Sequence, residues 1–152
     1  MRSSRSVTVL ALVTLLAAAG PLLAGCGADT GPKTVLSTAH TSAGDIVTDA
    51  GGRAVYLYTA DGQGSGASAC DSSCLASWPA VTTTSTEPAG HGVTAKIGEI
   101  PAAGGGYQLT LDGWPLYYFD GDTGPKMIKG QGIGAVWWLV APDGRRITDI
   151  GR

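Results

Sequence analysis

The sequence predicts an all-β protein, an antiparallel meander of two repeats of about 60 residues that pack as one domain. Three observations lead to this prediction. Val, Ile, Tyr and Trp dominate a series of short runs, as is typical of strands. Glycine is abundant, with 24 residues among 152, while charged residues make up only 14% of the chain. No segment after residue 26 has a long helical period, so we do not expect helices to build the core.

The repeat becomes visible when residues 52–61 are placed against residues 113–122, which lie 61 positions further along the chain. The matched residues are Tyr56 with Tyr117, Tyr58 with Phe119, and Asp61 with Asp122, and Trp78 is placed opposite Trp138. The first repeat is predicted to span residues 34–92 and the second repeat residues 93–152. Two units are too few for an open array, so we expect them to pack on each other.

Within the repeats, three hairpins are predicted from strand-like runs on either side of turn residues. The second hairpin has the strongest signal, because Asp112-Gly113 is a typical two-residue hairpin turn. The paired runs are 45–48 with 53–59, Tyr107–Leu111 with Trp114–Phe119, and 135–141 with 145–150.

The start of the chain has the pattern of an export signal. Arg2 and Arg5 supply a positive end, and residues 7–19 form an uncharged apolar run. That run is too short to cross a bilayer of ~30 Å comfortably. Residues 23–26, Leu-Ala-Gly-Cys, resemble the lipobox of bacterial lipoproteins, which implies cleavage before Cys26 and lipidation of its thiol. A plain signal peptide with a chance cysteine and an uncleaved anchor are the alternatives.

Cleavage at this point divides the chain into a signal peptide (residues 1–25), a lipidated tether (residues 26–33) and the two repeats. Several acyl chains hold a protein firmly on a bilayer. We therefore expect a protein of the cell envelope, anchored through Cys26 to the outer face of the cytoplasmic membrane, or to the outer membrane of a Gram-negative cell. The mature part would carry eight basic and twelve acidic residues without a Lys/Arg cluster. Nucleic acid is therefore not expected as a partner.

Cys70 and Cys74 are the pair of cysteines left in an oxidising compartment, so a disulfide is expected between them. Their spacing of four residues brings the two Cα atoms to about 6 Å in a helical turn but not in a strand. The pair therefore predicts one short helical turn near Cys70–Ser77, and closing so small a loop stabilises the fold by about 2 kcal/mol. A redox-active or metal-binding pair is the alternative, although neither His40 nor His91 lies at a ligand spacing.

Both repeats fit the pattern Tyr-x-(Phe/Trp/Tyr)-x-x-Asp, which runs from Tyr56 to Asp61 and from Tyr117 to Asp122. A further motif of the first repeat is Cys70-x-x-x-Cys74-x-x-x-Trp78-Pro79, and further motifs of the second repeat are residues 113–119 and residues 130–138. With these motifs in this order, the chain from Thr34 to Arg152 resembles a family of bacterial secreted repeats of unknown function, found as predicted lipoproteins with tandem units. The resemblance implies no substrate and no catalytic residue.

Two interpretations of the repeated motif are open. As a candidate ligand site, Tyr56, Tyr58, Asp61 and Trp78 would pair with Tyr117, Phe119, Asp122 and Trp138. Aromatic faces beside a carboxylate suit a carbohydrate, a cationic small molecule or a peptide. As core, the rings two positions apart on a strand share one face and pack between the repeats, while each aspartate bonds turn amides. The core interpretation is favoured because aromatic residues in strands mostly serve packing.

The sequence predicts no catalytic residue, no cofactor and no metal site. His40 and His91 lie in loops rich in Thr, Ser and Gly, where we expect them to be solvated, and no serine lies in a nucleophile elbow. Asp120 and Asp122 form a carboxylate pair that could hold calcium, but aspartates in Gly-rich turns are usually structural.

These observations favour a non-enzymatic, membrane-anchored lipoprotein that binds or supports another component of the envelope, either a protein or a small ligand. The alternative is an envelope redox or electron-transfer accessory protein that uses Cys70 and Cys74 as an exchangeable thiol pair. A small hydrolase or a sugar-active enzyme is the third and least favoured interpretation.

Overall fold

A computed structural model describes residues 33–149 of the chain, so the predicted signal peptide, the predicted lipidation site at Cys26 and the end of the chain from residue 150 lie outside the described part. The strands are β1 (Lys33–Thr41), β2 (Gly44–Asp49), β3 (Tyr56–Tyr58), β4 (Thr82–Thr83), β5 (Pro88–Gly90), β6 (Ile97–Pro101), β7 (Tyr107–Leu111), β8 (Trp114–Tyr117) and β9 (Trp137–Leu139). Helix α1 spans Ser72–Ser77, and a short 3₁₀ turn spans Ile133–Ala135. None of the described helices is long and apolar enough to cross a membrane.

The predicted fold class, mostly β with two repeats, is confirmed. The hairpin between β7 and β8 forms at Asp112 and Gly113, whose φ angles of 47° and 82° are the left-handed values that a two-residue turn between twisted strands requires. The hairpin between β2 and β3 is also present, because the Asp49 amide donates to the Arg53 carbonyl at 2.9 Å.

The third predicted hairpin is shorter than expected. Its first strand begins at Trp137, because Gly132 and Gly134 have φ angles of 75° and 60° and bend the preceding residues into the 3₁₀ turn. The returning run is joined to the first strand of the hairpin by a bridge between Val140 and Arg146 and by flanking backbone bonds. It is not regular enough to form a strand.

The expected meander is replaced by strand exchange between the repeats. In the larger sheet the strand order is β4-β7-β8-β3-β9, with β6 also paired to β7, so β3 of the first repeat lies between two strands of the second. The smaller sheet has the order β2-β1-β5, and β5 pairs with β1 in parallel. A parallel pair is possible here because the long connection from β1 to β5 gives the chain room to return in the same direction.

The central strands β3 and β8 contribute to two hydrophobic clusters at once. Because neighbouring side chains of a strand point to opposite faces, Leu57 and Leu116 enter one cluster while Tyr56 and Tyr117 enter the other. The second cluster also holds Trp78, Trp137, Leu139 and Cys70. The residues of the repeated motif therefore meet in one buried region between the two repeats.

Helix α1 begins after Asp71, whose side chain accepts hydrogen bonds from the amides of Ser73 and Cys74 at 3.0 and 2.9 Å. An aspartate at this position satisfies amides that have no partner inside the helix. The helical turn brings Cys74 to a Cα–Cα distance of 5.3 Å from Cys70, and the two form a disulfide. The short helix predicted from the cysteine spacing is thus present.

Candidate functional site

The repeated tyrosines and aspartates form two crossed hydrogen bonds between the repeats. Tyr56 and Tyr117 lie directly opposite each other in the antiparallel pair of β3 and β8. The Tyr56 hydroxyl donates to Oδ2 of Asp122 at 2.5 Å, and the Tyr117 hydroxyl donates to Oδ2 of Asp61 at 2.8 Å. Each tyrosine therefore bonds the aspartate of the other repeat rather than the aspartate of its own motif.

The second oxygen of each carboxylate is bonded in the same way in both repeats. Oδ1 of Asp61 accepts from the Ala69 amide at 2.6 Å, and Oδ1 of Asp122 accepts from the Lys129 amide at 2.9 Å. Both aspartates are buried, at 4% and 2% relative exposure. Burial of a carboxylate is costly unless its oxygens are bonded, so these four contacts make the arrangement possible.

Each tyrosine hydroxyl has a further partner, and here the repeats differ. The Tyr117 hydroxyl lies 2.7 Å from Oγ of Ser68, whereas the Tyr56 hydroxyl accepts from the Gly130 amide at 3.2 Å. A side-chain hydroxyl in one half thus takes the place of a backbone amide in the other. The alignment of the repeats did not match Ser68 with Gly130, because residues of different types that use different atoms leave no repeated letter.

The electrostatics of the cluster keep the tyrosines neutral. Burial, followed by the hydrogen bond and charge of Asp122, raises the pKa of Tyr56 well above its usual value of 10. Burial is also the main cause that raises the pKa of Tyr117, to which Asp61 adds. The pKa of Asp61 itself is raised by burial, against the opposing effect of its bonds from Ala69 and Tyr117. Tyrosines that hold their protons so firmly serve as hydrogen-bond donors rather than as bases at neutral pH.

Four aromatic rings next to these pairs form one stack in which the repeats alternate. The order is Phe119, Trp78, Trp137 and Tyr58, and the successive ring centroids are 4.6, 3.8 and 4.2 Å apart. The central indoles are nearly parallel, with an interplanar angle of 2°. Tyr56 and Tyr117 meet Trp78 and Trp137 edge to face at 5.5 and 5.2 Å. Such contacts add to the stabilisation that burial of the rings provides.

The partner of Trp78 in this stack is Trp137, whereas the sequence comparison placed Trp138 opposite it. Trp138 points to the other face of β9 and packs against the cluster that contains Leu57 and Leu116. The alignment that the structure follows sets Trp78-Pro79-Ala80-Val81 against Trp137-Trp138-Leu139-Val140. The match of Val81 with Val140 was the sequence signal that could have found it.

Backbone hydrogen bonds also agree with the alignment of residues 78–81 with residues 137–140. The Thr59 amide donates to the Val136 carbonyl, and the Asp120 amide donates to the Ser77 carbonyl, both at 2.9 Å. The Val47 amide likewise donates to the Val140 carbonyl as the Leu109 amide does to Val81, both at 2.8 Å. The hydrogen bonds therefore relate the two repeats by an approximate local twofold axis.

The remaining candidates lie apart from this cluster. His40 is exposed and contacts Asp45 at 2.8 Å, and His91 is exposed. Asp120 is exposed while Asp122 is buried against Tyr56, so the two carboxylates do not form a common pair. Within residues 33–149 there is no group of three or more His, Cys, Asp or Glu side chains that could hold a metal ion.

Arg53 is another residue that the sequence did not single out. Its guanidinium lies 4.3 Å from the ring centroid of Tyr118 and donates to the Phe119 carbonyl at 2.8 Å. Tyr118 in turn donates to Oδ2 of Asp49 at 3.1 Å. These contacts join the turn after β2 to the residues that follow β8, so Arg53 adds a further link between the repeats.

Comparison with known families adds one finding. A family model described as a secreted repeat of unknown function matches residues 37–82 and 100–141, which together exceed half of the chain. The chain belongs to this family of secreted repeats. Each match begins in the first strand of a repeat and ends just after the residues that hold Trp78 or Trp137, so it contains one Tyr, Asp and Trp set. No curated protein and no solved structure matches the chain.

Proposed function

We propose that this secreted repeat protein is a lipid-anchored, non-enzymatic binding or scaffolding module of the cell envelope. The observation that carries the proposal is the pair of crossed Tyr–Asp bonds, in which the hydroxyls of Tyr56 and Tyr117 and both carboxylate oxygens of the two buried aspartates are bonded inside the protein. A catalytic or ligand-binding set would present some of these groups to solvent. The motif instead fastens the two repeats together.

The anchor is the second part of the proposal and rests on the residues that end at Cys26. Metabolic labelling with a radioactive or clickable palmitate analogue should label the wild-type chain, and the Cys26→Ala variant should carry no label. The Cys70→Ala/Cys74→Ala variant is the matched control, and it should be labelled as the wild type is. An unmodified amino terminus on the mature wild-type chain in mass spectrometry would contradict the anchor.

The redox alternative has one observation in its favour. Cys74 is half-buried and lines an open depression of about 440 Å³ together with Tyr58 and Ser77, so a partner could approach the disulfide. Acid quenching of intact cells followed by alkylation of free thiols distinguishes the two functions. The scaffold predicts that Cys70 and Cys74 are fully oxidised, whereas a thiol pair in use would give a mixture of reduced and oxidised chains.

A further inference from the structure

The two edges of the sheet that the local twofold axis relates differ in how they are covered. In the second repeat, the outward edge of residues 137–141 is covered by the returning run of the same chain. The Ile147 amide donates to the Leu139 carbonyl at 2.9 Å, and the Ala141 amide donates to the Arg145 carbonyl at 2.8 Å. A short segment of this chain thus pairs with that edge through backbone bonds at residues 145 and 147 and a bridge at residue 146.

In the described part of the chain, no segment pairs with the equivalent edge of the first repeat. Ala80 corresponds to Leu139 and Thr82 to Ala141, and Ala80 forms a bridge with Tyr117 as Leu139 pairs with Tyr56. The Val81 amide and carbonyl bond Leu116 and Leu109 on the inner side, so the backbone groups of Ala80 and Thr82 point the other way. Within residues 33–149, no backbone hydrogen bond is formed by the Ala80 amide or carbonyl.

A groove of about 740 Å³ lies along this free edge. Pro79, Ala80 and Thr82 form one wall, and the turn that follows β6 and the loop before Cys70 contribute the others. None of the described residues that line the groove is charged. An extended chain of three to four residues spans roughly 10–13 Å. Such a segment is therefore long enough to bond the outward groups of both Ala80 and Thr82.

We infer that this edge, Pro79–Thr82, is a docking site for an extended polypeptide segment of a partner protein, which adds to the sheet as an antiparallel strand. The added strand repeats the geometry of residues 145–147 on the equivalent edge. The Ala80 carbonyl accepts from one amide of the partner, and the Thr82 amide donates to the carbonyl two residues earlier in the partner. Strand addition of this kind derives its affinity from main-chain bonds and its specificity from the side chains that face the groove.

The uncharged lining selects the partner further, because a charge placed in the groove would lose hydration without gaining a counter-ion. The segment therefore presents a small or apolar side chain toward the protein, as Ile147 does where it packs against the second cluster. This inference rests on the proposed binding role and names the class of partner. It does not depend on lipidation, so the labelling experiment and the docking experiment fail separately.

The test uses the full chain, labelled with ¹⁵N in detergent micelles, and a capped synthetic peptide that copies residues 143–149 with the change Arg145→Ala. This change is needed because residue 145 shares a strand face with Ile147 and would otherwise place a charge in the groove. Titration to millimolar peptide should shift the amide signals of Ala80, Val81 and Thr82. A peptide N-methylated at Ile147 lacks the donor for the Ala80 carbonyl and should bind at least tenfold more weakly. The matched control is N-methylated at Arg146, whose amide points away from the edge, and it should bind within twofold of the parent peptide.

The protein side has its own variant. Thr82→Pro removes the outward donor without breaking a bond inside the protein, so binding should fall at least tenfold while the melting temperature is unchanged. The N-methylated peptides test strand docking on the wild-type chain, so the result does not depend on whether the Thr82→Pro variant folds. Shifts confined to Leu139 and Ala141, equal binding of the two N-methylated peptides, or no shift at Ala80 and Thr82 would overturn the inference. Shifts at Ala80 and Thr82 that grow with protein concentration alone would instead assign the edge to a second copy.

Discussion

The two connections that lead from the buried aspartate to the stacked tryptophan solve the same problem in different ways. Trp78 follows Asp61 by 17 positions, through a Gly/Ser-rich loop, a disulfide and helix α1, whereas Trp137 follows Asp122 by 15 positions, through glycines and a 3₁₀ turn. Each connection supplies a backbone amide that bonds the aspartate, a hydrogen-bond partner for one tyrosine hydroxyl, and an indole ring of the aromatic stack. The fold therefore constrains these end points and leaves the path between them free.

The paths differ most clearly where they touch the tyrosine hydroxyls. Ser68 reaches Tyr117 with a side chain, but Gly130 reaches Tyr56 with its backbone. A Cβ on Gly130 would lie 2.8 Å from Cζ of Tyr56 and 3.0 Å from the Trp78 ring, so only glycine fits there without displacement. The first connection is held by a covalent bond and the second by close packing of the backbone.

The largest effect is expected from removal of the central rings. Tyr56→Ala and Tyr117→Ala should each lower the free energy of unfolding by about 3–5 kcal/mol, because each leaves a large cavity in a closed core. Urea denaturation followed by circular dichroism measures this loss. Tyr107→Ala is the matched control, since Tyr107 is 40% exposed, and it should have little effect. Unchanged stability of the Tyr56 and Tyr117 variants would contradict their assignment to the core.

Alkaline pH should act on both repeats together. The pKa values of Tyr56, Tyr117 and Tyr118 are raised above 10 by burial and by neighbouring aspartates. A raised pKa in the folded state favours folding below the ordinary value and loses that contribution as the pH rises above 10, where the unfolded chain releases its protons first. We expect these three tyrosines to ionise together with unfolding when absorbance at 295 nm is followed. Ionisation of all five tyrosines before any loss of circular dichroism would disprove the buried network.

Removal of the disulfide should loosen the first connection and leave the second unchanged. Cys70→Ser/Cys74→Ser should lower the free energy of unfolding by about 2 kcal/mol, as expected for so short a loop. Hydrogen exchange should accelerate at the Ala69 amide, which bonds Asp61, and should stay slow at the Lys129 amide, which bonds Asp122. Equal acceleration at both amides would mean that the two connections are not held independently.

The close contact at Gly130 offers a smaller perturbation with a natural counterpart. Gly130→Ala should cost about 1–3 kcal/mol because its methyl group has to displace Tyr56 or Trp78. Ser68→Ala removes one hydrogen-bond partner of Tyr117 without a clash and should cost about 1 kcal/mol. Thermal unfolding of the two variants measures both values. A Gly130→Ala variant as stable as the wild type would show that backbone packing does not hold this connection.

Local signals in the sequence predicted the elements that depend on neighbouring residues. The turn at Asp112-Gly113 and the helix at Cys70–Ser77 follow from the backbone preference of glycine and from the reach of a disulfide. The exchange of strands could not be predicted, because the pairing of Tyr56 with Tyr117 joins residues far apart in sequence and leaves no local pattern. For the same reason the repeated Tyr and Asp were found, but not which Tyr bonds which Asp.

Two further differences have a similar origin. β5 lies just before the predicted boundary between the repeats at residues 92 and 93, and it becomes a strand because β1 offers it a free edge. The adjacent residues Trp137 and Trp138 point to opposite faces of β9. An alignment of the repeats that shifts by one residue therefore selects the wrong tryptophan as the partner of Trp78.

The central claim is that the repeated motif links the two repeats through crossed bonds, and a pair of double-mutant cycles tests it most directly. One cycle combines Tyr56→Phe with Asp122→Ala, across the repeats, and the other combines Tyr56→Phe with Asp61→Ala, within one motif. The crossed pair should give a coupling free energy of about 1 kcal/mol or more in urea denaturation, and the pair within one motif should give a coupling near zero. A larger coupling between Tyr56 and Asp61 than between Tyr56 and Asp122 would contradict the crossed arrangement.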